Sequence, residues 1–214
     1  MKMTYMEAYY GVKKVFIAQV LAAISALAGI AAAVIEANAG QGTGKAATVL
    51  ASFGGILLVL TVISYILSLV GLHQAAKDEP FFKTAFTISV LGLLCSLAGG
   101  ALSAIGYESA QSIAEFANQM LQIMIIIYVI YGIISLAGKL KDRKLEQNGK
   151  RLVMLVTVLL FISVIISLMA DMFSKKAGEM VVGAVGIVSA LLLFVSYVLY
   201  LILLGRAVKT LGDK

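Results

Sequence analysis

Gly40-Gln41-Gly42-Thr43-Gly44-Lys45 is the segment of the chain that most looks built to hold a phosphate. A phosphate-binding loop needs a glycine where Ala39 stands and a Ser or Thr where Ala46 stands, and it must follow a strand. Both positions are alanine and the segment follows a long apolar run, so it reads as a flexible turn. His73 is the only histidine. Alone it makes no zinc site, and Asp78 and Glu79 follow at no recognised ligand spacing, so it reads as a residue closing a helix end. Cys95 is the only cysteine and lies inside an apolar run, where no base is at hand to activate it. It reads as a small packing residue. Glu36, Glu108, Glu115, Asp171 and Glu179 fall on one side as a diffuse acidic rim, which solvated loop positions explain as well as an ion path does. No catalytic residue, metal ligand or cofactor motif emerges, and the chain is read as non-enzymatic.

What remains is polar but uncharged. Tyr65, Tyr128, Tyr131, Tyr197 and Tyr200 recur about two turns before the ends of three apolar runs. Their hydroxyls could line a shared cavity, or the rings could anchor the chain at a membrane interface. Gln119 and Gln122 are costly in lipid, because an amide needs several partners. They could line a wet vestibule or sit at the interface.

The elements that position these residues follow from composition. Of the 214 residues, 61% are hydrophobic and 13% charged, against about 45–50% and about 25% in soluble domains. This excludes a soluble enzyme, a disordered chain and a disulfide scaffold. A bilayer core takes about 20 apolar residues of helix. Six runs meet that length: 15–35, 46–72, 84–105, 116–137, 152–170 and 181–204. They are too long and continuous for the alternating strands of a membrane barrel. The first is too long for the apolar part of a signal peptide and reads as a retained helix. The fold expected is an all-α integral membrane protein of six transmembrane helices, forming one domain. No acidic, basic or histidine residue lies inside a run, which argues against proton coupling and a charged central site.

Lys and Arg set the orientation. Fourteen of the 17 fall on the side that holds both chain ends, and Lys45, Lys175 and Lys176 fall on the other. With loops this short, the rule places both termini in the cytoplasm, in a cytoplasmic (inner) membrane. The stretch 139–151 holds six basic residues against Asp142 and Glu146. Juxtamembrane cations of this kind lie against anionic headgroups, so the charge of +6 implies a lipid bilayer as partner and not nucleic acid.

An internal repeat is also legible. Ile63-Ser64-Tyr65, Ile127-Tyr128 and Val195-Ser196-Tyr197 each lead through aliphatic residues to a lysine, at Lys77, Lys141 and Lys209. Lys-Asp recurs at Lys77-Asp78 and Lys141-Asp142. Three tandem helical hairpins in parallel orientation, over about 9–77, 81–141 and 147–209, account for this. Mitochondrial carriers also have three two-span repeats, but their proline-acid-basic signature is absent. Six spans with Ala18, Ala22 and Ala26 on the first helix invite comparison with the substrate-binding components of energy-coupling-factor transporters, yet such spacing is too common to assign that family.

Small residues at four-residue spacing let helices approach closely in lipid. Ala18, Ala22 and Ala26 form one such stripe; Gly92, Ser96 and Gly100 form another, and Gly186 and Ala190 a third. They pack the bundle or dock a second copy or another membrane subunit. Two functions follow: a small transporter or transport subunit for a neutral or lipophilic solute, or a structural or regulatory subunit without transport activity.

Overall fold

The computed structural model describes residues 5–39, 44–105, 108–173 and 179–213, with side-chain surroundings for 5–32, 54–105, 113–114, 116–162, 165, 188 and 190–213. The described residues form six helices: α1 (Met6–Ala39), α2 (Gly44–Ala75), α3 (Pro80–Ala104), α4 (Glu108–Lys139), α5 (Arg143–Phe173) and α6 (Glu179–Gly212). Among the described residues, five carry stretches long and apolar enough to cross a membrane: Met6–Ala32, Gly54–Ala75, Pro80–Ala104, Phe116–Lys139 and Ala190–Gly212. The expected span at 152–170 belongs to α5 and lies partly outside the residues whose side chains are described. The protein is thus a multi-pass membrane protein by helix length and composition, all-helical among the described residues.

The helices outrun the apolar runs. At 34 residues and 1.5 Å per residue, α1 and α6 are each about 51 Å long, against a hydrocarbon core of about 30 Å. Much of the excess lies at the basic end, where it is used for packing. Val12 and Val15 of α1, Leu72 of α2, Phe82 of α3, Ile130 and Ile133 of α4, Leu145 of α5 and Leu204 of α6 form one buried core. These residues come from the first turns of odd helices and the last turns of even ones, so six helix ends meet there. Each helix touches its chain neighbours, and α6 returns to α1 and closes the ring. Contact is most extensive within the pairs α1–α2, α3–α4 and α5–α6. Farther from the basic end, several of the described large apolar side chains turn outward, among them Leu27, Ile56, Leu97 and Leu191.

Local chemistry sets the turns at the basic end. Glu79 is extended, at φ −146° and ψ 117°, as a residue before proline must be, and Pro80 opens α3 at a position that needs no N–H. α4 ends with Asp142 N–H donating to the Ala137 carbonyl at 2.9 Å and Lys141 N–H to the Gly138 carbonyl at 3.0 Å. This closure requires a left-handed residue, and Lys141 takes it at φ 58°, where glycine is usual. Asp142 then caps α5 by accepting from Leu145 N–H at 3.0 Å.

Candidate functional site

The densest polar chemistry lies at the basic end, around the turn between α2 and α3. Asp78 Oδ2 accepts from the backbone N–H of Ala8 at 2.7 Å, so this turn caps the start of α1 from 70 residues away. Glu79 makes no cap bond to its own helix. Its carboxylate is 3% exposed and accepts from Lys139 Nζ at 2.7 Å and from Ser135 Oγ at 2.8 Å, both on α4. Ser135 and Lys139 are four residues apart on one helix face, which lets both reach a single carboxylate. Lys139 also donates to the Asp78 carbonyl at 3.3 Å and lies over the Tyr5 ring. Beside this clamp, Lys14 donates to Gln74 and Gln74 to Glu7, with Lys77 at 3.6 Å from Glu7. Carboxylates and cations satisfy one another here, an arrangement suited to holding helix ends together.

Two of the five tyrosines bond across different helix interfaces. Tyr65 of α2 donates to the Ser89 carbonyl of α3 at 2.7 Å, and Tyr197 of α6 donates to the Gln19 carbonyl of α1 at 2.5 Å. Tyr200 is fully buried in the core. Tyr128 packs half-buried against that core. Tyr131 is exposed and stacks on Phe81 with ring centroids 5.9 Å apart. Gln119 and Gln122 are exposed on α4, and the adjacent Asn118 turns inward beside Gly92. His73 is exposed in the last turn of α2, with its ring against Phe86. Cys95 is half-buried. The glycine-rich turn and the five acidic rim residues lie outside the residues whose side chains are described.

Small residues are covered at some positions and open at others: Gly99 is buried beside the exposed Gly100, and Gly138 is exposed at the basic end. Others near that end hold helices at contact distance. A Cβ built on Gly11 would lie 2.5 Å from the Gly71 carbonyl oxygen, and one on Gly71 would lie 2.7 Å from that of Gly11. Gly132 receives the Phe82 ring, and a Cβ there would sit 2.8 Å from it. Ser64 Oγ donates to the Ala18 carbonyl at 2.6 Å across the α1–α2 contact. Farther along, Ala18 is buried, Ala22 half-buried and Ala26 exposed. Gly92 is covered by Asn118 and Leu121, whereas Ser96 and Gly100 are exposed. Gly29, Gly54, Gly55 and Gly100 have nothing within 4 Å of a built Cβ. Ala190 is exposed, and Gly186 lies outside the residues whose packing is described. Ser25, at the same depth as these open positions, is buried with its hydroxyl unpartnered.

The Glu79–Ser135–Lys139 clamp and the Gly11–Gly71 contact were not foreseen in the sequence. The available signals were the four-residue spacing of Ser135 and Lys139 and the acidic residue before the only proline. Among the described residues, no three His, Cys, Asp or Glu side chains come together as metal ligands. No family model, curated protein or solved structure matches the chain.

Proposed function

We propose that the chain is a non-enzymatic subunit of a membrane complex, spanning the cytoplasmic membrane six times as three parallel hairpins with both termini inside. It binds a helix of another membrane protein, or of a second copy, at the exposed glycines Gly54, Gly55 and Gly100. The observation that carries this is the contrast between glycines. Those at Gly11, Gly71, Gly92 and Gly132 are covered by neighbouring helices, and those at Gly54, Gly55 and Gly100 are exposed with nothing within 4 Å of a built Cβ. In lipid, helices associate through close packing at small residues, so bare glycines offer a helix-sized contact that no part of the described bundle fills. The hairpin reading is supported by the pairwise packing and by Tyr65 and Tyr197, which make the same bond from an even helix to the next odd helix around the ring. The orientation rests on the excess of Lys and Arg at the end that holds the core.

Co-purification from membranes tests this reading. The tagged chain is expected to bring down a stoichiometric second chain, and Gly100→Leu with Gly55→Leu is expected to release it while the bundle stays folded. Release by neither substitution, or no second chain at all, overturns it. A second reading, passive carriage of a neutral or lipophilic solute, is favoured by one feature: the core closes the basic end with residues from six helices, while described positions farther along, such as Gly55 and Gly100, are exposed. Solute-dependent protection against heat, unaffected by the glycine substitutions, would favour that reading instead.

A further inference from the structure

The cations of the bundle are not all matched from within. Lys14, Lys77 and Lys139 have Gln74, Glu7 and Glu79. Arg151, at the start of the apolar part of α5, and Arg206, just past that of α6, are exposed, and neither has an ion pair or hydrogen bond among the described residues. Both line a groove of about 290 Å³ between the two helices. Its α5 wall is Asn148, Arg151, Leu152 and Leu155, a spacing that puts all four on one helix face. Its α6 wall, Leu199, Ile202, Leu203 and Arg206, has the same spacing. The helices run in opposite directions, so both guanidinium groups stand at the mouth and the leucines and isoleucine run deeper. An adjoining recess of about 310 Å³ shares Asn148 and Arg206 and adds Lys144 and Lys209. The one acid in it, Asp142, is held by the Leu145 N–H.

A polar mouth with two arginines above an apolar slot matches a molecule with a phosphate at one end and an acyl chain at the other. Guanidinium groups fit phosphate oxygens in a two-point geometry that a lysine ammonium does not reproduce. Basic pockets between helix ends at the membrane surface bind anionic headgroups in this way. We propose that the α5–α6 groove is a binding site for an anionic phospholipid. Arg151 and Arg206 hold its phosphate, Asn148 is within the same mouth, and an acyl chain lies along Leu152, Leu155 and Ile202. This site is separate from the bare glycines and stands or falls independently of the partner reading.

The test is native mass spectrometry of the full chain, titrated with phosphatidylglycerol and, separately, phosphatidylcholine. Phosphatidylglycerol is expected to bind more tightly. Each of Arg151→Gln and Arg206→Gln should weaken it by about fivefold, the effect of about one surface cation. Arg206→Lys, which keeps the charge but not the planar fork, should fall between. Lys13→Gln and Lys83→Gln, which remove the same charge elsewhere at the basic end, should leave it unchanged. Leu155→Ser with Ile202→Ser should weaken the lipid but not inorganic phosphate. Equal retention of both lipids, or equal losses at Lys13 and Arg151, would show a diffuse surface charge and overturn the site. Inorganic phosphate binding as tightly as the lipid would overturn the lipid as its occupant.

Discussion

Replacing Lys139 with alanine removes one of two donors from a carboxylate that is 3% exposed, leaving Ser135 Oγ at 2.8 Å as its remaining side-chain partner. A hydrogen bond to a charged group contributes about 1.5–3 kcal/mol. Breaking a fully buried ion pair costs about 3–5 kcal/mol. The Lys139 side chain is itself 40% exposed, so water can partly replace it and the lower range applies. Lys139→Ala is therefore expected to destabilise the bundle by about 1.5–3 kcal/mol. Glu79→Gln removes the charge that needs the lysine and is expected to cost about 1 kcal/mol, as for an ordinary hydrogen bond. Adding Lys139→Ala to Glu79→Gln should then cost much less than Lys139→Ala alone, because no buried charge is stranded. The assay is equilibrium unfolding by sodium dodecyl sulfate in mixed micelles, followed by far-ultraviolet circular dichroism. A Lys139→Ala midpoint equal to that of the parent, or strictly additive losses in the double variant, would refute the clamp as a holder of helix ends.

Other expectations follow from the same contacts. Gly71→Ala places a methyl group against the Gly11 carbonyl, which is backbone and cannot yield, so a loss of about 1–3 kcal/mol in the same unfolding assay is expected. Gly100→Ala meets nothing within 4 Å and should be neutral to slightly stabilising for the isolated chain, by up to about 1 kcal/mol. Asp142→Ala removes the α5 cap and should cost about 1 kcal/mol, while Lys141→Gly relieves a left-handed backbone and should cost nothing or stabilise slightly. Tyr65→Phe and Tyr197→Phe should each cost about 0.6 kcal/mol, the average for a hydrogen bond between membrane helices. A loss at only one of the two would break their equivalence around the ring.

Six helices, five of them long and apolar enough to cross a membrane among the described residues, were legible because lipid demands unbroken apolar runs. Their extra length was not. Ala8, Val12 and Leu211 lie in turns that read as polar flanks, yet they pack the core, since helix ends that meet in a ring bury one face each. Basic residues were legible as an orientation signal only. Which of them pair inside the protein depends on contacts 60 residues apart in the chain, as for Lys139 and Glu79, and no local pattern encodes those. Tyr65 and Tyr197 were recognisable as equivalent from Ser64-Tyr65 and Ser196-Tyr197. Their destination, a carbonyl on the next helix, required knowing which helices are neighbours. Small-residue stripes marked surfaces of close approach but not which part of each stripe is covered. The stripe of Gly92, Ser96 and Gly100 begins under Asn118 and ends bare.

The exposed glycines Gly54, Gly55 and Gly100 are proposed to hold another transmembrane helix. Native mass spectrometry of the protein released from lipid nanodiscs made directly from its own membrane tests this most directly. A stoichiometric complex is expected, either a homo-oligomer or a pairing with one other membrane protein, that Gly100→Leu reduces to the single chain. A single chain before any substitution, or a complex that survives Gly29→Leu, Gly55→Leu and Gly100→Leu together, would contradict it.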